Sequence, residues 1–384
     1  MERIISDFNK KVKILTPDDE SHYFFGYYDL RATQGNAHLA HRVKFMDRLP
    51  GENDTAELGY LIDNKFYAFA STTAWNFQQG SMLEFHPVRK NCVFYNAFLN
   101  GDAKTVIHNI TTGEKQYADM PTACHSHDGR YGLSVNFGRI FDFRPGYGYK
   151  AAKDLNSQVS APKDDGIFLI DFATGKSRLL ISYSDMLLPC GFTHEHKILV
   201  NHITFAPDSK SYVFLLRNFD KGGSWSTSMA IGDLDGNIKA VLKNTYVSHY
   251  YFINNKVILA HMSVRGEKKG LYTLNLFDGS VTEYQADYLS GKGNRDIHCV
   301  LSPDGKYIIG DGYPIDNYRS IVGINTATGA NKVILKALTN VPSSNDIRCD
   351  LHNRFVFDGK YISFDTVHNG KRQIAAFPSS VLDF

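Results

Sequence analysis

IHCVLSPDGKYIIGDG, residues 297–312, reads as a histidine, a short apolar run, a tight turn and a second apolar run. Val, Ile and Tyr favour strands and Asp-Gly favours a reversal, so the stretch predicts a β-hairpin. The same phase returns in NHITFAPDSK at 201–210, SHYYFINNKV at 248–257 and LHNRFVFDGK at 351–360. In each, the histidine stands six residues before an Asp or Asn of the turn: His202 and Asp208, His249 and Asn255, His298 and Asp304, His352 and Asp358. Four histidines in one phase of a repeat predict four side chains delivered to equivalent places.

Working outward, related turns at QGN 34–36, VRK 88–90 and HDGR 127–130 bring the series to seven. Successive members are 40 to 54 residues apart, except for one interval of 80. A second turn class follows in most units, as TTGE 111–114, ATGK 173–176, DLDGN 233–237, FDGS 277–280 and ATGA 327–330. Each unit therefore reads as strand, turn, strand, connection, strand, turn, strand. The pattern predicts an all-β chain, a seven-bladed β-propeller of four-stranded antiparallel blades, forming one domain over residues 1–384. A two-layer sandwich would not require seven turns with the same neighbours. Residues before Tyr23 are expected to complete the last blade. The polar, Gly- and Pro-broken stretch 143–166 is expected to be a long loop.

Hydrophobic residues make up 43% and aromatics 13%, enough for a large core. The formal charge of +2 provides no general field for nucleic acid or a membrane surface. No apolar run is long enough to span a bilayer, and the N-terminus lacks the apolar segment of a signal peptide. Five cysteines at irregular spacing read as reduced thiols, and a cytoplasmic location is expected.

In a propeller the first strand of each blade lines the channel, so the four histidines are expected at one mouth. His249, His298 and His352 belong to consecutive blades and are candidate ligands of a divalent metal, with Cys349 or Asp350 as a further ligand. A thiolate favours zinc, whereas a carboxylate is more permissive, so manganese, zinc and calcium all stay open. Simple hydrogen bonding of each imidazole at the rim is the alternative. His202, with Arg217 at the end of the next strand, is a candidate general base, because a neighbouring guanidinium disfavours protonation. Substrate hydrogen bonding without proton transfer is equally open.

Arg139 and Tyr147, near the long loop, are further catalytic candidates. Tyr28, Trp75, Gln78 and Gln79 are expected to offer rings and amides to sugars, and Arg42, Asn136 and Arg348 to hydrogen-bond an acidic substrate. Asp311 and Asp365 are the one obvious carboxylate pair, suited either to glycoside hydrolysis or to orienting ligating histidines. No nucleophile elbow, phosphate loop or dinucleotide fingerprint stands in a suitable setting, and no spacing typical of a two-His, one-carboxylate triad is visible.

These parts fit β-elimination from a uronate-containing oligosaccharide. Metal and Arg would neutralise the carboxylate, His202 would take the C5 proton, and a Tyr or water would protonate the leaving oxygen. A glycoside hydrolase acting on a uronate-linked sugar and a non-catalytic glycan- or protein-binding propeller are the other readings.

HITFAPD at 202–208, SHYYF at 248–252, IHCVLSPDGKYIIGDG at 297–312 and RCDLH at 348–352 resemble the blade-opening segments of oligogalacturonate lyases, seven-bladed propellers in a wider group that includes ulvan lyases. The resemblance extends over about residues 190–370. It implies a divalent metal, typically manganese, near histidines, and a histidine base beside an arginine. By that resemblance His249 matches the early metal ligand, His352 one of a late pair, and His202 the base. The chain departs from the family where a closely spaced Gln and two His stand, reading Arg348, Cys349, Asp350, Leu351, His352.

Overall fold

The structure is a computed structural model that describes residues 3–8, 11–26, 31–219, 226–264, 269–284, 296–339 and 346–384. Seven antiparallel sheets follow one another along the chain, five of four strands and two of five, and they are the blades of a seven-bladed β-propeller.

Repeated turn chemistry sets the strand boundaries. In the 297–312 hairpin, Asp304 accepts hydrogen bonds from the Ser302 hydroxyl and the Lys306 amide, and Gly305 takes a left-handed φ of 74°. HDGR closes in the same way through Ser126, Asp128 and Gly129, and Ser209 fills the left-handed position in PDSK. The second class uses an Asx residue four positions before a glycine. Asn109, Asp171, Asn275 and Asn325 each accept the amide of the glycine at i+4 on their own carbonyl, while their side chains bond amides inside the turn.

The chain divides into two compact units, residues 86–283 and residues 1–85 with 284–384. In the first, strand Ser211–Asn218 explains why its blades read as continuous apolar runs. Tyr212, Phe214 and Leu216 pack with residues of the third blade, such as Leu133 and Ile167, whereas Val213 and Leu215 pack with Ile258 and Leu274 of the fifth. A strand buried on both faces has no polar side. Two short helices, Phe137–Phe143 and Tyr183–Cys190, interrupt the strands of this unit.

In the other unit, strand Lys13–Ile14 pairs antiparallel with Gln373–Pro378 of the seventh blade, so N-terminal chain supplies that blade's outer strand. Ile4–Ile5 adds a fifth strand to the sixth blade beside Asn331–Leu338. Trp75 lies in an apolar cluster with Phe25, Val43, Phe77 and Ile347. Among the described residues no helix is long and apolar enough to cross a membrane.

A Cβ at Gly305 meets nothing within 4 Å, so Gly305→Ala carries the left-handed backbone cost alone, about 1–2 kcal/mol. At Gly175 (φ 68°) the added Cβ would lie 2.6 Å from the Tyr117 carbonyl oxygen. Urea denaturation is expected to show Gly175→Ala as clearly the more destabilised of the two; equal midpoints would contradict the turn assignment.

Candidate functional site

The densest polar group among the described residues of the unit that includes 284–384 is built around Asp311. Strand Ile297–Leu301 pairs with Tyr307–Gly312 so that His298 lies opposite Asp311. Asp311 is completely buried. Its Oδ1 accepts the His298 Nδ1 proton at 2.7 Å and the His298 amide at 3.2 Å, and its Oδ2 accepts the His352 amide at 2.9 Å. One carboxylate thus fixes two blade-opening histidines. Burial opposes its ionisation, but His298 outweighs that and holds it at about 2.

His298 and His352 have ring centroids 5.0 Å apart, and the Asp350 carboxylate completes the group, with ligand atoms all within 4.8 Å of one another. Burial, and then the neighbouring His298, push His352 down to about 3, which keeps it a neutral donor. For His298 burial is opposed and exceeded by Asp311, which raises its pKa. With Nδ1 donating to Asp311, the remaining ring nitrogen is the one placed to carry a proton or a metal. His352 adopts φ 43°, an uncommon conformation for a non-glycine residue and one concentrated at functional sites.

Asp350 sits between two guanidiniums. Arg319 Nη2 lies 2.7 Å from Oδ1, and Arg348 Nε lies 2.8 Å from Oδ2. Burial resists ionisation of Asp350, but the two arginines lower its pKa far below the usual carboxylate range. Despite the close arginine, among the described residues Oδ2 accepts no well-aligned hydrogen bond. Two imidazoles, an ionised carboxylate with an under-satisfied oxygen, and a second carboxylate orienting the rings are a donor set that fits a divalent transition metal.

Around this group, Arg354 donates to the His352 carbonyl at 3.0 Å and to Asp365 at 2.6 Å, and Asp365 also accepts the Gly26 amide. Asp365 therefore restrains Arg354 rather than a ligating histidine. Tyr313 lies against both arginines of Asp350, its ring centroid 5.6 Å from the Arg319 guanidinium carbon and 5.9 Å from that of Arg348.

The unit 86–283 gathers a second group. His202 and His249 have ring centroids 5.4 Å apart, and the Tyr147 ring stands edge-on to His202 at 6.3 Å. Arg217 is buried and donates to Asn201 Oδ1 at 2.7 Å and, more weakly, to the Ser248 carbonyl at 3.5 Å, the chain neighbours of these two histidines. His202 occupies a register shift in its strand with φ 53°, and its carbonyl accepts the Tyr250 hydroxyl.

The four histidines therefore associate as two pairs, His202 with His249 and His298 with His352. His249 is not a member of the three-ligand group. Cys349 is not a member either; burial pushes its thiol up to about 12, and Asp350 occupies the ligand position. Arg139 is wholly buried and ties the long loop to the fourth blade through the carbonyls of Ile198, Val159 and Ser160 and the Asp154 carboxylate, so it offers nothing to a ligand. Asn136 caps the helix starting at Phe137 and donates to Asp154 and Asp165. Trp75 is 1% exposed and spends its indole N–H on the Asp54 carbonyl, which removes it as a stacking surface.

Gln78 is buried and donates to the Arg348 carbonyl, so it braces the segment carrying Asp350. Gln79 is half-buried beside it, in the turn that Asn76 organises. Arg42 forks onto Glu57. Tyr28 lies outside the described residues. Sequence reasoning missed Arg319 and Tyr313. The signal for Arg319 was a lone charged residue in the strand YRSIVGIN beside the apolar run IVGI, which calls for a buried acidic partner.

No family model matches the chain, and no curated protein does. Solved structures do. An oligogalacturonate lyase from Vibrio parahaemolyticus superposes with a TM-score of 0.66 at 12% identity, covering 97% of this chain and 95% of that one. An oligogalacturonate lyase in complex with manganese gives 0.64 at 14% identity, covering 96% and 94%. The β-propeller domain of the Trilobed protease from Pyrococcus furiosus gives 0.51 at 10% identity, covering 93% and 96%. The chain is structurally related to oligogalacturonate lyase-type propellers, and at these identities the likeness is one of fold.

Protein loaded with manganese or zinc and then desalted is expected to retain about one ion per chain by elemental analysis. His352→Ala and Asp350→Asn should each lose it, Asp311→Ala should weaken retention about 10- to 100-fold, and Cys349→Ser should leave it unchanged. Loss of metal with Cys349→Ser and not with Asp350→Asn would overturn the ligand assignment.

Proposed function

We propose that the protein is a lyase that cleaves a uronate-containing oligosaccharide by β-elimination, with a divalent ion held by His298, Asp350 and His352. The observation that carries this reading is the pairing of that donor set with two arginines, Arg319 and Arg348, on the same carboxylate. Nitrogen-rich donors favour manganese or zinc over calcium, which prefers oxygen ligands. When bound, such an ion draws charge from the substrate carboxylate and so acidifies the adjacent C5–H.

Arg319 and Arg348 orient that carboxylate and offset its charge. His202, of the unit 86–283, is the base candidate that its phase in the histidine repeat suggests. Tyr147 is the buried aromatic hydroxyl bearer beside it and Arg217 its nearby positive charge. As the C5–H bond breaks toward the base, its electron pair becomes the C4=C5 double bond and the C4–O bond breaks. A tyrosine hydroxyl or a water returns a proton to the leaving oxygen. The bonds of Asp311 and Asp365 to His298, His352 and Arg354 support elimination over hydrolysis by that carboxylate pair. A reducing, cytoplasmic setting belongs to this reading and rests on five cysteines at irregular spacing.

Incubation with a panel of acidic oligosaccharides is expected to raise the ultraviolet absorbance of an unsaturated uronate. His202→Ala should lower the rate by about 10²-fold or more while metal retention stays unchanged. Sugar release without new absorbance would replace elimination by hydrolysis, and neither signal would leave a binding propeller.

A further inference from the structure

Tyr313 is one of the few large aromatic residues that stay substantially exposed, at 38% of its surface, and it occurs just after the strand that carries Asp311. Its ring lies within 6 Å of the guanidinium carbons of Arg319 and Arg348. Those guanidiniums are themselves nearly buried, with side-chain exposures of 4% and 8%, and both are anchored on Asp350. A half-exposed ring held against two fixed cations presents an apolar surface beside a positive one. Few ligand classes match both at once. A neutral sugar satisfies the ring alone, and a small carboxylate satisfies the arginines alone. A uronate satisfies both, because its pyranose carries an apolar C–H face and a carboxylate on C5.

Building on the uronate reading above, we propose that Tyr313, Arg319 and Arg348 form a single-sugar subsite in which Tyr313 takes the C–H face of one uronate residue while the arginines take its carboxylate. Tyr313 is then a specificity residue. It contributes contact area to a pyranose, and that contribution survives any change of ring substituent that keeps the aromatic face.

The test is a binding measurement, independent of turnover. Isothermal titration of manganese-loaded protein with the methyl glycoside of galacturonate, whose free 4-hydroxyl leaves no sugar to eliminate, is compared with its methyl ester. A second series uses the chelated protein. Tyr313→Ala is expected to weaken binding of this galacturonate glycoside about 5- to 10-fold, and Tyr313→Phe and Tyr313→Trp to restore it to within about twofold. Metal content and thermal midpoint should be unchanged in all three variants. Wild-type affinity for the acid that Tyr313→Ala leaves unaltered would overturn the subsite and leave the uronate reading standing. Equal loss in Tyr313→Phe and Tyr313→Ala would overturn the stacking role. Absence of any difference between the acid and its ester in the wild type would overturn the subsite and the uronate reading together.

Discussion

The candidate site depends on one buried carboxylate. Asp311 has no exposure to water, yet it stays ionised because it accepts three N–H groups, two from His298 and one from the backbone of His352. A buried charge is tolerated only when its oxygens are satisfied, so neither histidine can move without leaving Asp311 short of a donor. The interaction ties the opening strand of the sixth blade to the segment that leads into the seventh. It fixes the tautomer of His298 and the unusual backbone of His352 at the same time, turning two distant residues into a matched pair of donors.

Asp350 complements this by being over-supplied with positive charge and under-supplied with aligned hydrogen bonds. Arg319 and Arg348 keep it ionised, while among the described residues Oδ2 accepts no well-aligned hydrogen bond. The surrounding shell continues the same logic. Arg354 spans His352, Ser363 and Asp365, and Arg372 and Gln78 both donate to the Arg348 carbonyl, so the irregular segment 346–353 is held by side chains where strand pairing is absent. Buried arginines in such numbers cost desolvation, offset here by paired carboxylates and backbone carbonyls.

The fold was legible because its turns are chemical. An Asp or Ser holding a hairpin, or an Asx four residues before a glycine, leaves the same letters in blade after blade, and strands between buried faces leave unbroken apolar runs. The phase of the histidines was legible for the same reason. Which histidines meet was not. His202 sits on a bulge and His352 in a left-handed conformation, and neither departure has a sequence signature. Asp350 was harder still, since it comes from a segment without regular structure and its partner Arg319 lies in another strand. Trp75 misled in the opposite direction. WNFQQG has no strand pattern and reads as exposed, but Phe25, Phe45 and Phe77 surround the indole at centroid distances of 5.1 to 5.9 Å. Arg139 misled likewise, because an arginine that staples a loop and one that binds a ligand look the same as letters.

The central claim is that His298, Asp350 and His352 bind one divalent ion. An anomalous difference map from crystals grown with manganese tests it most directly. The account predicts a single strong peak within coordination distance of both imidazoles and the Asp350 carboxylate, with Asp311 still bonded to His298. A peak bound instead by Cys349, or by His202 and His249 alone, or no peak at the Asp350 group, would contradict it.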